Sequence, residues 1–515
     1  MINYWWVTRP KRRLNSIPEI LAVFSEISLD QEWEGQRTAH LTLEEALEQA
    51  NLKRIGERRD QTGGGARTYR AWVASLGLIF IQESTQKLKL TLAGEAIMEG
   101  DSPVEILKHQ VIKYQFPSPF SLSRGVNVSE RFKVRPFRFL LKLLADDRIS
   151  YLIEEEIAKI IITEAENETD TCYERIVKRI LEFRNIGAGS LDKDFFVKYA
   201  PGSGAVNPDH PFSHLMDTAN TMVNWIEFTQ LAKRDDEKKV RIIDDKIDEV
   251  KSILSITPPF IDRPEQQEYF QRKYGLDPKH KKDTRNLTQT KTITAKMIAE
   301  QKIKQAFIGE SLKSPIGKIS TGLIDKIADQ TGIEVSIVEE TLLKLYPYGA
   351  IGSFMTEYFE MAFKGRDEAT EFEKATVELF KSVFEFEAQH VGPIGLTPDV
   401  YILSHESRYV GIIDNKAYSK YTISNDHRNR MVHNYIKTYS AECYPLAFFS
   451  YIAGGFGKNI TSQIKDIVDE TLIHGSAMSV SNMIKMVENH QYKKYSHDEI
   501  RNIFSVDRQI LLSDL

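Results

Sequence analysis

Two short apolar runs near the C-terminal end, separated by a polar turn, constrain the fold more than any other stretch. The runs cover 399–403 and 409–414 and are rich in β-forming residues, and 404–408 between them is polar. This pattern predicts an antiparallel β-hairpin. In the simplest register, Asp399 at the start of the first strand lies beside Asp414 at the end of the second. The hairpin therefore brings two carboxylates to one sheet edge.

The end of the second strand adds a lysine to this pair. Strand side chains alternate, so Asp414 and Lys416 share one face while Asn415 points to the other. Mg²⁺ takes oxygen ligands and usually only one or two protein carboxylates. A neighbouring lysine can orient an attacking water or balance charge on phosphorus as the ammonium, or deprotonate the water as the neutral amine. We therefore predict phosphodiester hydrolysis with Asp399 and Asp414 as Mg²⁺ ligands; a solvated strand end without a catalytic role would show the same short motif.

Further motifs in the C-terminal half extend this pattern. They are 398–399, 414–419, 453–459 and 475–480. In order and approximate spacing, over about 372–490, they resemble the cleavage domain of FokI-type, type IIS restriction endonucleases. The resemblance implies an α/β core of the PD-(D/E)xK kind with a mixed sheet, and Mg²⁺-dependent cleavage of double-stranded DNA. It also implies a secondary catalytic role for Glu378, which is matched by order to a helix glutamate of that domain.

The same resemblance bears on self-association. In the FokI-like domain, the helix after the catalytic strand carries an Asp/Arg pair that is used in dimerisation. The matching positions here are Arg430 and Asn434, so the pair is absent from them. A transient homodimer through other residues and cleavage of one strand at a time both remain open.

Length and composition limit the number of domains and the classes of protein that this chain can belong to. A chain of 515 residues is long enough for about two to four domains, and its net charge of −5 argues against a uniformly basic nucleic-acid coat. The only cysteines, Cys172 and Cys443, exclude a disulfide framework and a cysteine-based zinc site. No apolar run approaches the roughly 20 residues of a membrane span, and no signal-like segment follows Met1. We expect a soluble, cytoplasmic protein without a membrane partner.

The N-terminal segment 5–13 combines two tryptophans with four basic residues and no acid. Such a segment suits phosphate contacts with aromatic packing beside them, although a basic strand anchored in the core by tryptophan would look the same. The segment resembles the N-terminal signature of AlwI-like type IIS endonucleases. The resemblance favours DNA contact by Arg9, Lys11 and Arg12.

Residues 41–98 follow the order of a winged helix. The pattern predicts a helix over 41–50, a basic glycine-rich turn over 54–65, a helix from 66 that stops at Gly77, strands at 80–83 and 87–92, and a helix over 93–98. In this motif the helix before the hairpin presents its N-terminal residues to the major groove. We therefore predict DNA contact by Arg58, Arg67, Thr68 and Arg70, while noting that winged helices also serve as protein–protein modules.

A second basic stretch alternates with apolar residues. An extended segment over 131–135 would place Arg131, Lys133 and Arg135 on one face. The stretch again resembles the AlwI-like recognition region, which implies DNA contact; an exposed basic strand without a ligand is the alternative. Residues 214–255 indicate a second winged-helix-like subdomain.

These patterns predict a mainly α, winged-helix-type DNA-recognition region over 1–276, a linker over 277–296 and a cleavage half over 297–515 with its core at about 345–515. The leading hypothesis is a type IIS restriction endonuclease that cuts outside a short asymmetric site, for which the resemblance suggests GGATC. A cognate DNA methyltransferase is the expected partner in the same restriction–modification system. The alternatives are a strand-specific nicking endonuclease and a non-enzymatic winged-helix regulator.

Overall fold

The computed structural model describes residues 1–54, 63–123, 126–202, 209–235, 237–287, 295–392, 397–440 and 444–515. These residues form two compact units, Met1–Ile308 and Gly309–Leu515. The division lies later in the chain than the start predicted for the cleavage half at 297. Within the described ranges, no helix combines the length and the apolar character that a membrane span requires.

The first unit is mainly helical, as predicted for the recognition region. Its strands form two antiparallel pairs, β1 (Ile79–Ile81) with β2 (Leu88–Leu90) and β3 (Ala232–Arg234) with β4 (Val240–Ile242). Its helices are α1 (Ile17–Ile27), α2 (Arg37–Gln49), α3 (Gly64–Ser75), α4 (Leu92–Met98), α5 (Pro103–Lys113), α6 (Pro136–Leu144), α7 (Glu154–Glu156), α8 (Ile162–Glu164), α9 (Asp170–Ile186), α10 (Phe195–Lys198), α11 (Ser213–Phe228), α12 (Ile247–Ser255), α13 (Gln267–Tyr274) and α14 (Ala295–Ser311), which extends just past the division.

The elements from α1 to α4 have the predicted winged-helix order, with the β1–β2 hairpin between α3 and α4. Trp72, Val73 and Leu76 are fully buried, as their helical spacing predicts. Helix α3 ends at Ser75, and Gly77 follows with φ +73°. A Cβ at Gly77 would lie 2.6 Å from the side-chain nitrogen of Gln110, so both the backbone conformation and the packing require glycine there.

A second helix–hairpin–helix arrangement follows in the same unit. Helix α11 leads into the β3–β4 hairpin and then α12, which is the order predicted for the second winged-helix-like subdomain. The ring of Trp225 in α11 stacks on Phe137 of α6, with 5.6 Å between ring centroids. Aromatic packing of this kind holds α11 against α6 in the core of the first unit.

Residues 277–286, predicted as the start of a linker, pack against the first unit. Arg285 contacts Glu95 at 2.5 Å and Asp283 at 2.8 Å, and Lys279 donates to Asp101 at 2.7 Å. The stretch is polar because its charges pair with distant residues, and a sequence cannot distinguish such pairing from solvation. The part of the predicted linker over 288–294 lies outside the described residues.

The second unit contains one six-stranded sheet in the order β10-β9-β8-β7-β6-β5. The strands are β5 (Glu387–His390), β6 (Val400–Ser404), β7 (Tyr409–Lys416), β8 (Leu446–Ala453), β9 (His474–Ser479) and β10 (Arg508–Gln509). The helices are α15 (Thr321–Thr331), α16 (Val335–Leu345), α17 (Ile351–Met361), α18 (Ala369–Ser382), α19 (Asn425–Asn429), α20 (Lys437–Tyr439), α21 (Ile460–Thr471), α22 (Val480–Tyr492) and α23 (His497–Phe504), with a π-helical stretch, Arg430–Ile436, joining α19 to α20. Strands β5 to β7 are antiparallel and β7 to β10 parallel, which confirms the predicted mixed-sheet α/β core.

The two faces of this sheet have different neighbours. Ile412 and Tyr451 belong to an apolar cluster with Met431 of the π-helical stretch and Ile464 of α21. Because side chains alternate along β7, Asp414 is on the same face as Ile412, whereas Asn415 is on the opposite face. Asp414, near the end of β7, therefore lies on the side of the sheet that residues 425–439 cover.

We predict that replacing Gln271 destabilises the first unit. Its buried side-chain amide donates to the Ala74 carbonyl at 2.5 Å and the Ile79 carbonyl at 3.1 Å, so α13 is tied to the winged helix. Gln271→Leu should lower the unfolding free energy by about 1–3 kcal/mol because two buried hydrogen bonds are lost, although the Ala74 carbonyl still accepts from the Gly77 N–H. All five tryptophans lie in this unit, so tryptophan fluorescence in urea reports its unfolding.

Gln266→Leu is the matched control, because Gln266 is exposed. Equal urea midpoints for the Gln271→Leu and Gln266→Leu variants would contradict the role given to Gln271.

Candidate active site

The β6–β7 hairpin assembles the three residues that its sequence pattern predicted. Val400 pairs with Ile413, so Asp399 lies next to the end of β7. The backbone N–H of Asn415 donates to Asp399 Oδ2 at 2.6 Å. Lys416 Nζ lies 2.6 Å from Asp414 Oδ2 and 3.9 Å from Asp399 Oδ2. The two carboxylates and the ammonium thus converge at the end of the hairpin.

The opposite face of β7 fixes this end of the strand. Asn415, which alternation predicted to point away from the acids, donates its side-chain N–H to Thr376 Oγ1 of α18 at 2.6 Å. The hydroxyl groups of Thr376 and Tyr358 are 3.0 Å apart, and all three side chains are buried. This buried hydrogen-bond network holds the strand against α18 and so limits the positions available to Asp414 and Lys416.

The site concentrates negative charge in a largely buried place. Burial, followed by repulsion from Asp414, raises the pKa of Asp399 well above its ordinary value, and Glu373 adds to the effect. Burial alone would lower the pKa of Lys416, but Asp414 and Asp399 more than offset it, so the pKa of this ammonium is raised. Lys416 therefore stays protonated at neutral pH and neutralises only part of the carboxylate charge.

Helix α18 brings a different glutamate to the site from the one predicted. Glu378 accepts a hydrogen bond from Ser382 in its own helix, and no contact links it to the aspartates among the described residues. Glu373 faces them instead: a methyl group placed on Gly392 would lie 3.3 Å from Asp399 Oδ1 and 3.4 Å from Glu373 Oε2. Five positions along an α-helix correspond to about 140° of rotation, so the two glutamates cannot share a face.

Glu373 is therefore the site residue that the sequence pattern missed. His390 Nε2 lies 2.7 Å from Glu373 Oε2 and holds that carboxylate in place. Helical phase could have identified Glu373 once the contact of Thr376 with β7 was known. Glu373 lies three positions before Thr376 and therefore lies on the same face of α18.

The helical stretch over 425–439 carries an Asp/Arg ion pair. Its residues are not both at 430 and 434, the positions that correspond by sequence spacing to the pair of the FokI-like domain. Arg430 pairs with Asp426 at 2.8 Å, one turn apart, and both side chains are exposed. The matched position Asn434 follows within the π-helical stretch, which changes the residue-to-turn relation that simple counting assumes. The two matched positions still hold Arg430 and Asn434, so this ion pair within one helix does not change the prediction made for them.

Four of the residues predicted to contact DNA have exposed side chains: Arg12, Arg67, Thr68 and Lys133. Arg67 and Thr68 lie in the first turns of α3, where the winged-helix pattern predicted an accessible surface. Lys133 lies between two buried residues, Phe132 and Val134, as the alternation predicted. Arg12 forms an ion pair with Asp217 at 2.7 Å.

The remaining predicted contacts are less accessible or are engaged within the protein. Arg131 donates to the carbonyls of Asn3 and Thr163 and to Glu166, and the buried Arg135 pairs with Glu168. The alternating pattern was correct, but acids more than 30 positions away in sequence neutralise these two arginines. Arg131 and Arg135 therefore stabilise contacts within the protein and do not form an exposed basic surface.

Three further residues of the predicted recognition set are also not fully available. Burial lowers the pKa of Arg9, of Lys11 and of Arg70, and the Arg70 guanidinium lies 3.7 Å from Glu34. Arg58 lies outside the described residues. Apart from Arg12, which pairs with Asp217, the exposed part of the predicted set is Arg67 and Thr68 at the start of α3 together with Lys133.

Comparison with known proteins gives two family matches. Residues 332–511 match the family "FokI, cleavage domain", and residues 95–211 match "Type II restriction endonuclease HgaI, N-terminal domain". The first match includes Asp399, Asp414 and Lys416, and the second includes the stretch around Lys133. No curated protein matches the chain.

Solved structures similar to this chain include FokI, FokI bound to DNA, and the BpuJ1 endonuclease binding domain in complex with modified DNA. The two FokI structures each have 14% identity over 99% of this chain and 100% of theirs, with TM-scores of 0.29 and 0.28. The BpuJ1 domain has 14% identity over 52% of this chain and 96% of its own, with a TM-score of 0.35. These scores are too low to carry an argument, so the assignment depends on the two family matches.

We predict that Asp399→Asn stabilises the second unit in the absence of divalent metal. Asparagine keeps an acceptor for the Asn415 N–H but removes a buried like charge, which should raise the unfolding free energy by about 1 kcal/mol. Because the pKa of Asp399 is raised on folding, the stability of the wild-type unit should fall as pH rises from the ordinary aspartate range through the raised pKa. The variant should lack this fall.

Scanning calorimetry in EDTA over a pH series measures both effects. Asp466→Asn, at an exposed position of the same unit, is the control. An Asp399→Asn variant with the stability and pH profile of wild type would show that the carboxylates do not repel each other in the folded state.

Proposed function

We propose that this chain, a type IIS restriction endonuclease by its two domain matches, hydrolyses DNA phosphodiester bonds with Mg²⁺ and cuts double-stranded DNA outside a short asymmetric site. The observation that carries the proposal is the convergence of Asp399, Asp414 and Lys416 at the end of the β6–β7 hairpin. Nuclease domains of the matched family are in general dependent on a divalent metal ion. The first unit would supply recognition through the exposed residues at the start of α3 and around Lys133.

The donor set fits a hard divalent cation. Asp399 and Asp414 supply carboxylate oxygens, Glu373 lies beside them, and Lys416 compensates only part of their charge. Carboxylate oxygens are the protein ligands that Mg²⁺ prefers. Bound at the two aspartates, the ion would activate water and stabilise charge on the phosphate.

The chain itself supplies positioning and charge. Lys416 stays protonated beside Asp414, so its ammonium can donate to the attacking water or to a phosphate oxygen but does not remove a proton in this state. Asp399 is fixed by the Asn415 N–H, and Glu373 is fixed by His390. The hydrogen bonds therefore orient the carboxylates before substrate arrives.

The number of DNA strands cut and the oligomeric state are part of the same proposal. The exposed Asp426–Arg430 pair offers a surface for a transient homodimer, which would place one site on each DNA strand. A strand-specific nicking endonuclease is the alternative if the unit stays monomeric. Nicked plasmid accumulating at every enzyme concentration would favour nicking, whereas a linear product that increases steeply with concentration would favour the dimer.

The target sequence and the methyltransferase partner are further parts of this proposal. The AlwI-like resemblance suggests GGATC, with a cognate DNA methyltransferase protecting the same site. Run-off sequencing of cleaved DNA identifies both the site and the cutting offset. Cleavage at an unrelated sequence would exclude GGATC as the target but would leave the assignment of the catalytic residues intact.

We predict that Asp414→Ala abolishes cleavage of plasmid DNA in Mg²⁺, with a loss of about 1,000-fold or more, because a metal-binding carboxylate is removed and Lys416 loses its nearest partner. Single-turnover assays of purified protein measure the rate. Full cleavage by this variant would show that the catalytic site lies elsewhere. The alternative of a non-enzymatic regulator requires specific DNA binding by wild type without any metal-dependent hydrolysis.

Two glutamates of the same helix provide a matched comparison. Glu373→Gln should slow cleavage by about 10-fold or more, because it removes a charge that faces Asp399. Glu378→Gln, the same change five positions along α18, should leave the rate within about 3-fold of wild type because, among the described residues, that side chain bonds to Ser382 and not to the aspartates. The reverse order of effects would reinstate Glu378 and exclude Glu373.

A further inference from the structure

A tyrosine–histidine pair lies on the sheet face that carries the catalytic groups. Tyr421 belongs to the apolar cluster that includes Ile412 and Tyr451, and alternation puts Asp414 and Lys416 on this face. The hydroxyl group of Tyr421 lies 2.8 Å from Nδ1 of His427, in the first turn of α19. The proposed catalytic mechanism does not use either residue.

The hydrogen bond decides which ring nitrogen of His427 carries the proton. Burial, reinforced by Asp414, raises the pKa of Tyr421, so its hydroxyl keeps its hydrogen. Among the described residues, Nδ1 of His427 is the one hydrogen-bond partner of this buried hydroxyl. The O–H therefore donates, Nδ1 accepts, and the proton of the neutral ring resides on Nε2.

The hydrogen-bond partner of the ring packs beside the catalytic groups: Tyr421 lies on Tyr451, with 5.6 Å between ring centroids, and Tyr451 is the register partner of Asp414 across β7 and β8. Burial lowers the pKa of His427, Lys416 lowers it further, and Asp414 opposes both. The other charges that act on the ring are Asp426 and Arg430, which pair with each other. The neutral imidazole thus presents an N–H at Nε2, and His427 is partly exposed. Within the described part of the chain, Nε2 has no hydrogen-bond partner.

We propose that His427 donates its Nε2–H to a non-bridging oxygen of a DNA phosphate bound at Asp414 and Lys416, and that Tyr421 positions it by fixing the tautomer. This inference depends on the proposed nuclease function. The ligand is a phosphodiester of the DNA backbone, recognised by a neutral donor on the side of the site opposite α18. A neutral donor binds the phosphate without adding a second cation beside the metal-binding carboxylates.

Three substitutions of His427 distinguish the roles of its two ring nitrogens. His427→Gln places an amide N–H near the position of Nε2, whereas His427→Asn reaches only the position of Nδ1 and keeps a partner for Tyr421. His427→Ala removes both. In single-turnover cleavage of a duplex that wild type cuts, Ala and Asn should slow the reaction by about 10-fold, and Gln by less than about 3-fold, because one hydrogen bond to a charged group is lost or kept.

Tyr421→Phe tests the positioning role. It removes the hydroxyl but keeps the ring, so it should slow cleavage less than His427→Ala, and it should have little further effect in the His427→Ala background. Tyr444→Phe, at another tyrosine packed on the same cluster, is the control and should cleave as wild type does. Additive effects of the Tyr421 and His427 changes would overturn the positioning role.

A scan with methylphosphonate linkages identifies the contacted phosphate. Each phosphate near the cut is replaced in turn by an uncharged methylphosphonate, and full-length wild type is compared with His427→Ala. The readout is equilibrium binding without divalent metal, because a methylphosphonate at the scissile phosphate would stop cleavage by either protein. At one phosphate, wild type should bind about 10-fold more weakly while His427→Ala weakens by less than about 3-fold. Equal sensitivity of both proteins at every phosphate, or wild-type rates for His427→Ala, would overturn the proposal.

Two checks separate this inference from its premise. Thermal unfolding of each variant, together with the Asn variant that keeps the Tyr421 contact, distinguishes a lost phosphate contact from a misfolded unit: slow cleavage by a folded Asn variant supports the proposal. If wild type cuts DNA and the phosphate scan is negative, only the role of His427 fails. If wild type cuts no duplex in Mg²⁺, the proposed function and this inference both fail.

Discussion

The contact between the Lys416 ammonium and the Asp414 carboxylate, with Asp399 close by, is the interaction on which the cleavage unit depends. Two carboxylates held together in a largely buried place repel each other, and one ammonium offsets only part of that repulsion. The folded unit is therefore less stable at this point than a neutral core would be, and a divalent cation is the partner that would relieve the excess charge. Stability given up in this way is characteristic of functional sites.

The first unit exposes only a few of the basic residues that were predicted to contact DNA, in a chain that is acidic overall. Much of its basic content is used internally, since Arg131 and Arg135 hold loops and helices together through Glu166 and Glu168. The exposed residues that remain, at the start of α3 and around Lys133, are few and lie on defined elements. In a DNA-binding protein, so few exposed basic residues limit indiscriminate attraction to phosphate.

Local patterns in the sequence predicted the parts of the structure that depend on local geometry. The hairpin register follows from alternation over 399–416, and so does the opposition of Asn415 to Lys416. What failed depended on contacts between distant elements: the face of α18 that packs on β7 and so brings Glu373 rather than Glu378 to Asp399, and the acids that neutralise Arg135.

The most direct test of the metal-binding account is the binding of Mn²⁺, in place of Mg²⁺, to the full chain in the absence of DNA, followed by electron paramagnetic resonance of the free ion. We expect wild type to bind Mn²⁺, and the Asp399→Asn and Asp414→Asn variants to lose that binding while the first unit keeps its tryptophan fluorescence. Undiminished Mn²⁺ binding by the two variants would contradict the assignment of these carboxylates as the metal site.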